Sequence, residues 1–319
     1  MKNLCAIGWS ALWFIVATVS VRADFAISMT TIGDPGNPPD VHWWGSPGSV
    51  GYTYQIGTYE VTVAQYTEFL NAKAASDPYG LYNASMASGP LGPFILRSGT
   101  DGSYTYSAVS GTENQPVRNV SFYDGIRLAN WLANGQGNGD TETGSYTLAN
   151  GIGLTRNANA TWVVPSEDEW YKAAYYDAHN VLYHTYPNGS DAVPAEPTDE
   201  TTPREMNFGG PPFWQGTQYY TSVGQTTGHS PYGVYDMGGN VQEWTDTFKS
   251  PSYYITRGGE LMDGAAAMST TGSQPYDPTT DGDLQGLRLA DIIPEPTTMA
   301  LFLVGFLGIA VGWVRRKRR

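Results

Sequence analysis

Fourteen residues, Tyr232 to Thr245 (YGVYDMGGNVQEWT), hold the densest set of groups able to do chemistry in this chain. Asp236 and Glu243 supply carboxylates, and Gly238 and Gly239 free the backbone between them. Glycine takes positive φ without steric cost, so carbonyls can turn inward at such a pair. Hard cations such as calcium take about six to eight oxygens, backbone carbonyls among them. Oxygen ligation of a cation is therefore the chemistry on offer. The same residues also spell a tight turn ahead of a core tryptophan, Trp244.

Other constellations are thinner. Glu167/Glu169 and Asp281/Asp283 are paired acids, expected by chance in so acidic a chain. The first pair points to opposite sides of a helix start. His179 and His184 lie five residues apart, which does not set two imidazoles on one helical face. No nucleophile–base–orienter set emerges. The sole cysteine, Cys5, lies in a leader expected to be removed. The mature chain is then expected to lack disulfides, zinc–thiolate sites and cysteine nucleophiles.

Composition sets the class of protein. The chain has 319 residues, 15% charged and 13% aromatic, with 38 Gly and 21 Pro. That describes a loop-rich, aromatic-cored globular protein. Between Asp24 and Ile293 there are ten basic residues against twenty-nine acidic ones, near −19 in formal charge. Nucleic acid is not an expected partner, because phosphate contacts need a basic face.

The two ends read as export signals. Residues 1–23 run from Lys2 through an apolar stretch to Val21-Arg22-Ala23, the pattern of a secretory signal peptide cut after Ala23. Residues 291–319 carry Pro294-Glu295-Pro296, then an apolar run, then RRKRR at 315–319. A membrane helix is expected at about 298–314, with the basic cluster left on the cytoplasmic side.

The intervening elements must position the chemistry. Strands are expected at Phe25–Ile32, Tyr52–Tyr59, Tyr146–Leu148, Tyr219–Val223 and Tyr254–Arg257, with a hairpin at Arg97–Tyr106. Three helices announce themselves by capping boxes: Thr62-x-x-Gln65, Ser121-x-x-Asp124 and Ser166-x-x-Glu169. Val63, Tyr66, Phe69 and Leu70 form the apolar face of the first. Ile126, Ala129, Leu132 and Ala133 form that of the second, and Trp170, Ala173 and Ala174 that of the third. The last core segment is Gly286 to Ala290. Trp43, Trp44 and Trp214 could serve as carbohydrate platforms or as core filling.

Six segments in order then carry a resemblance. They are IGTYEVTVAQYTEFLNA (56–72), PVRNVSFYDGIRLANWL (116–132), VVPSEDEWYKAA (163–174), YGVYDMGGNVQEW (232–244), TRGGELMD (256–263) and GLRLA (286–290). Together they resemble the formylglycine-generating enzyme, or sulfatase-modifying factor, family, over most of residues 24–290. The tail resembles the PEP-CTERM sorting segment, which implies processing by an exosortase-type enzyme and at least transient membrane anchoring.

The resemblance implies an α+β, C-type-lectin-like fold, loop-rich, with short strands and few helices. It implies calcium held by Asp236, the carbonyls of Gly239 and Val241, and Glu243. A second calcium site of the family would begin at Asn207-Phe208, but its later Asp has no counterpart here. Oxidising members bind copper(I) through two cysteines downstream of the Gly-Gly pair. Those positions fall on Asp263 and Met268, and copper(I) selects soft thiolates. The expected function is a non-catalytic, exported, envelope-anchored binding or structural module, associated with extracellular polysaccharide. The alternative is a diverged oxidase or other protein-modifying enzyme with a rearranged site near Asp263.

Overall fold

A computed structural model describes residues 25–292, apart from 152, 196–203, 210–218 and 251. The expected signal peptide (1–23), the expected membrane helix (about 298–314) and Trp214 lie outside the described residues. Among the described residues, no helix is long and apolar enough to cross a membrane.

The strands are β1 (Met29–Ile32), β2 (Tyr54–Gly57), β3 (Ile95–Ser98), β4 (Thr105–Ala108), β5 (Trp162–Val163), β6 (Tyr176–Asp177) and β7 (Leu182–Tyr183). Further along come β8 (Gln242–Ser250), β9 (Tyr253–Arg257), β10 (Gln274–Tyr276), β11 (Gln285–Gly286) and β12 (Ala290–Asp291). Three helices accompany them: α1 (Val63–Lys73), α2 (Phe122–Ala133) and α3 (Glu167–Tyr175).

Each helix begins where its capping residue dictates. Thr62, Ser121 and Ser166 each accept from the N3 amide, and each N3 side chain accepts from the cap amide in return. The reciprocal bonds satisfy two of the donors that a helix start leaves free. The apolar faces pack as their spacing requires. Tyr66, Phe69 and Leu70 of α1 join Ile126, Ala129 and Trp131 of α2, and Trp170 of α3, in one core.

Two four-stranded sheets frame that core. One has the order β1-β2-β12-β5, the other β10-β9-β8-β11. In the first, Ala290 of β12 pairs with Ile56 on one side and Val163 on the other. In the second, β8 and β9 pair antiparallel with two register shifts, and β11 joins β8 in parallel. Arg97 opposes Tyr106 in the β3–β4 hairpin, as expected.

Two expected strands are absent. Residues 146–148 lead into a short 3-10 turn at Leu148–Asn150. There the Tyr146 amide donates to Asn130 Oδ1 rather than to a ladder. Residues 219–223 are irregular. Their backbone groups are met one at a time: Gln115 Nε2 donates to Tyr220 O, Val223 N donates to Asn114 O, and Thr221 N donates to Asn240 Oδ1. Two side-chain amides and one loop carbonyl do there what a neighbouring strand would otherwise do.

Candidate functional site

The turn of residues 236–240 is set by three positive φ angles, at Asp236 (55°), Gly239 (78°) and Asn240 (61°). Gly239 is irreplaceable on steric grounds, since a Cβ there would lie 2.2 Å from Asn207 O. Its amide donates to Gly258 O at 3.0 Å, joining the turn to the second glycine pair. Asn240 tolerates the left-handed region better than most side chains. Its Oδ1 accepts from Asn207 Nδ2 (2.9 Å), and its Nδ2 donates to Glu60 Oε2 (3.2 Å).

Beyond the turn, β8 carries Glu243 inward. Arg288 clasps this carboxylate with Nη2 at 2.7 Å from Oε1 and Nε at 2.9 Å from Oε2. Trp170 Nε1 adds a third donor, 2.7 Å from Oε2. The remaining capacity of Arg288 goes to Gly57 O (2.8 Å) and Tyr235 O (2.9 Å). One guanidinium thereby joins β2, the turn, β8 and the 286–290 segment. Asp236, also buried, accepts from Gly224 N (2.5 Å) and Thr226 Oγ1 (2.7 Å). Trp244 is fully buried behind them, with Nε1 donating to Val120 O.

The electrostatics are lopsided. Glu60, Asp236 and Glu243 are buried around one guanidinium. Burial first, and then Asp236 and Glu243, push the Glu60 carboxyl well above its ordinary range. Burial likewise raises Asp236. Burial works against the charge on Arg288, but Glu243, Glu60 and Asp236 outweigh it and hold the guanidinium protonated. Glu60 Oε1 is buried with no hydrogen-bond partner.

The expected calcium ligands are thus brought together in part. Asp236, Gly239, Val241 and Glu243 share one turn and strand, and each carboxylate is already engaged by protein donors. A carboxylate oxygen keeps a second lone pair, so engagement does not end its capacity to ligate. Among the described residues, no group of three or more His, Cys, Asp or Glu side chains converges as a metal cage. The excess of buried carboxylates and the orphaned Glu60 oxygen fit a cation; the Arg288 fork competes with one. At Asn207, the side-chain amide is occupied by Asn240, Tyr219 O and Arg204.

The segment after Gly258-Gly259 does not fit copper(I). Asp263 Oδ2 accepts from Glu260 N at 3.1 Å, and its carbonyl accepts from Gly209 N. Met268 is fully buried against Met206 and Phe208. Neither position offers a thiolate. Beside them a cavity of about 310 Å³ is lined by Gln242, Thr256, Arg257, Gly259 and Gln274, with no aromatic side chain among its lining residues. Glu260 follows Gly259 in the chain, its carboxyl pushed up to about 7 by burial and by Asp263.

Sequence reasoning missed Arg288, Glu60 and Asn240 as partners of the turn. An arginine within the apolar GLRLA and a glutamate within GTYEVT were the available signals, since a charge in a core segment needs a partner. The paired acids of α3 separate as expected. Glu167 pairs with Arg257, whereas Glu169 pairs with Arg156, which also holds Asp246.

Residues 49–293 match the Sulfatase-modifying factor enzyme 1-like domain, and the chain belongs to that family. Residues 293–319 match the PEP-CTERM protein-sorting motif, which marks an exosortase-type substrate associated with export and the cell envelope. The fold is similar to the structure titled "Crystal Structure of CarF" (20% identity, TM-score 0.54, covering 84% of this chain and 99% of that one). It is also similar to Treponema denticola variable protein 1 (18% identity, TM-score 0.50, covering 83% and 95%). No curated protein sequence matches the chain.

Proposed function

We propose that this chain is an exported, envelope-anchored, non-catalytic binding module associated with extracellular polysaccharide. The observation that carries this reading is the pair of positions after Gly259. Where the oxidising members of the family place two thiolates, this chain has a backbone-capping Asp263 and a core-packed Met268. Trp43 supports the polysaccharide part, because it stands 97% exposed at the tip of the His42–Gly45 turn. Beside it Trp44 stacks on His42 at 4.8 Å. Large exposed aromatics are suited to stacking on apolar sugar faces.

Calcium belongs to the same proposal, as a structural ion at the 236–243 turn. Its support is the ratio of three buried carboxylates to one guanidinium and the orphaned Glu60 Oε1.

The test is a copper-loading and oxygen-consumption assay on the purified protein with thiol-containing peptides, alongside retention on polysaccharide. No turnover is expected, and Trp43→Ala should weaken retention. Turnover abolished by Asp263→Ala or Met268→Ala would replace this reading with the enzymatic alternative, for which the raised carboxyl of Glu260 is the nearest candidate base.

A further inference from the structure

Two elements meet at the His42 side chain. Its Nε2 lies 2.9 Å from Asp40 Oδ2 and 3.2 Å from the Tyr171 hydroxyl of α3. Tyr171 donates to the same Asp40 oxygen at 2.7 Å. The imidazole also lies flat against Trp44, with the two planes 11° apart. The backbone of His42 closes a turn: its N–H donates to Gly45 O at 2.9 Å, and its carbonyl accepts from Gly45 N at 3.3 Å. Trp43 and Trp44 lie between, so this one residue holds the tip that carries the exposed Trp43.

The base of the turn is fastened separately. Asp40 N donates to Pro47 O at 2.9 Å, Gly48 N to Asp168 Oδ1 at 2.8 Å, and the Tyr183 hydroxyl to Gly48 O at 2.8 Å. The charged and titratable groups on the elements packed around His42 are Asp40 on its own loop, Asp168 and Tyr171 on α3, Tyr183 on β7 and Arg257 on β9. Burial, and then Asp40, hold both phenols well above their ordinary range, so they stay uncharged donors. Arg257 sits 5.8 Å from the Trp44 ring and 5.0 Å from the Tyr171 ring, its charge paired with Glu167. Among the described residues, Asp40 is the one carboxylate within ion-pair reach of the imidazole.

A neutral imidazole offers this cluster one N–H and no charge. An imidazolium gives Asp40 an ionic partner and puts a cation against the Trp44 face. We propose that His42 and Asp40 form a pH-sensitive latch on the Trp43 turn, closed when His42 is protonated and loosened when it is not. Histidine is the side chain whose charge ordinarily changes between about pH 5 and 8. A proton held better by the closed turn than by the open one stabilises closure, fully on the acid side of that window and less as pH rises through it. The two side chains are 24% and 22% exposed, so solvent screens the pair and the effect is modest. The inference goes beyond the binding-module reading and rests on it only for its consequence, that retention through Trp43 is stronger in mild acid.

The experiment is residue-resolved hydrogen exchange on the full-length protein at about pH 5.5 and about pH 8, with rates corrected for their intrinsic pH dependence. The amides of His42 and Gly45 report the turn, and those of α1 serve as the reference. Protection at the turn is expected to be about threefold greater at the acid pH, with α1 unchanged. His42→Gln and Asp40→Asn should each abolish the difference. If His42→Gln opens the turn at both pH values, Asp40→Asn decides the question, because it keeps the imidazole and removes its ionic partner. Equal protection at the two pH values in the parent overturns the proposal, as does an undiminished pH response in either variant. Retention on polysaccharide, compared between the parent and Trp43→Ala at the same two pH values, tests the consequence. A pH-dependent turn without Trp43-dependent retention keeps the latch and removes the binding reading. Trp43-dependent retention with a pH-independent turn does the reverse.

Discussion

Arg288 grips Glu243 through both carboxylate oxygens, at 2.7 and 2.9 Å, with both side chains essentially fully buried. Because Trp170 donates to the same carboxylate and Gly57 and Tyr235 accept from the same guanidinium, five segments of the chain meet in this pair. Removing one partner strands a buried charge, which typically costs about 3–5 kcal/mol. Glu243→Gln and Arg288→Met should each lower stability by that amount in denaturant unfolding. An Arg288→Met/Glu243→Leu double variant should recover part of the loss, because neither charge then remains unpaired. Losses within the range of surface substitutions would mean that the pair does not hold the fold together.

The turn itself gives a sharper steric test. Gly239→Ala puts a Cβ 2.2 Å from Asn207 O at φ +78°, so strain and collision add. Gly36 has nearly the same φ, +80°, with open space around it. Gly36→Ala should therefore report strain alone, about 1 kcal/mol, and Gly239→Ala at least twice that. Equal melting points for the two variants would contradict the pinned turn.

Chelation addresses the proposed calcium. A ligand of the native state adds stability as RT ln(1 + [L]/Kd), so chelator should lower the melting temperature and added calcium restore it. Glu60→Gln removes one negative charge and the orphaned oxygen's ligating capacity without breaking the Arg288–Glu243 clasp. In that variant the calcium response should shrink or vanish. A parent protein with the same melting curve in chelator and in calcium would rule out a structural ion at this turn.

Stability should also depend on pH in a defined window. Burial pushes the Asp124 carboxyl up from 3.8 to about 7, against the hydrogen bonds from Ser121. Between those values the native chain holds a proton that the unfolded chain has released, so stability falls as pH rises from about 4 to about 7. One such proton gives a slope of at most about 1.4 kcal/mol per pH unit. Asp124→Asn should flatten that part of the profile. Glu169 acts oppositely. Burial disfavours its charge, but the Arg156 guanidinium outweighs burial and holds the carboxyl below the ordinary range. Its contribution is present above the unfolded value and lost as pH falls through the folded one. A profile flat from pH 4 to 7 in the parent would refute the Asp124 assignment.

The helices were legible because their signals are local. A Ser or Thr with an acid or amide three residues on fixes a start, and residues such as Val63, Tyr66 and Leu70 fix the buried face. The family could be read from six segments in order. Less visible was whatever depends on distant partners. Residues 219–223 look like a strand, but side chains of Gln115, Asn207 and Asn240 serve them instead. The turn's carboxylates read as ligands, yet the sequence does not tell that Arg288, forty-five residues beyond Glu243, reaches back to clasp one of them. Nor could PVRNV disclose that Arg118 would be enclosed by Phe94 and Tyr220 with idle donors.

The position of β12 bears on how this protein reaches its working form. Ala290 and Asp291 are interior to their sheet, between β2 and β5, and the sorting motif begins at residue 293. An interior strand that is among the last parts of the domain to be synthesised cannot be supplied early. The first sheet stays open until nearly the whole domain has emerged, and Arg288 arrives in the same late stretch. Closure of this sheet thus waits for residues 290–291, within a few residues of the start of the sorting motif. Cutting that tail much upstream of residue 293 would release an unzipped sheet rather than a finished domain.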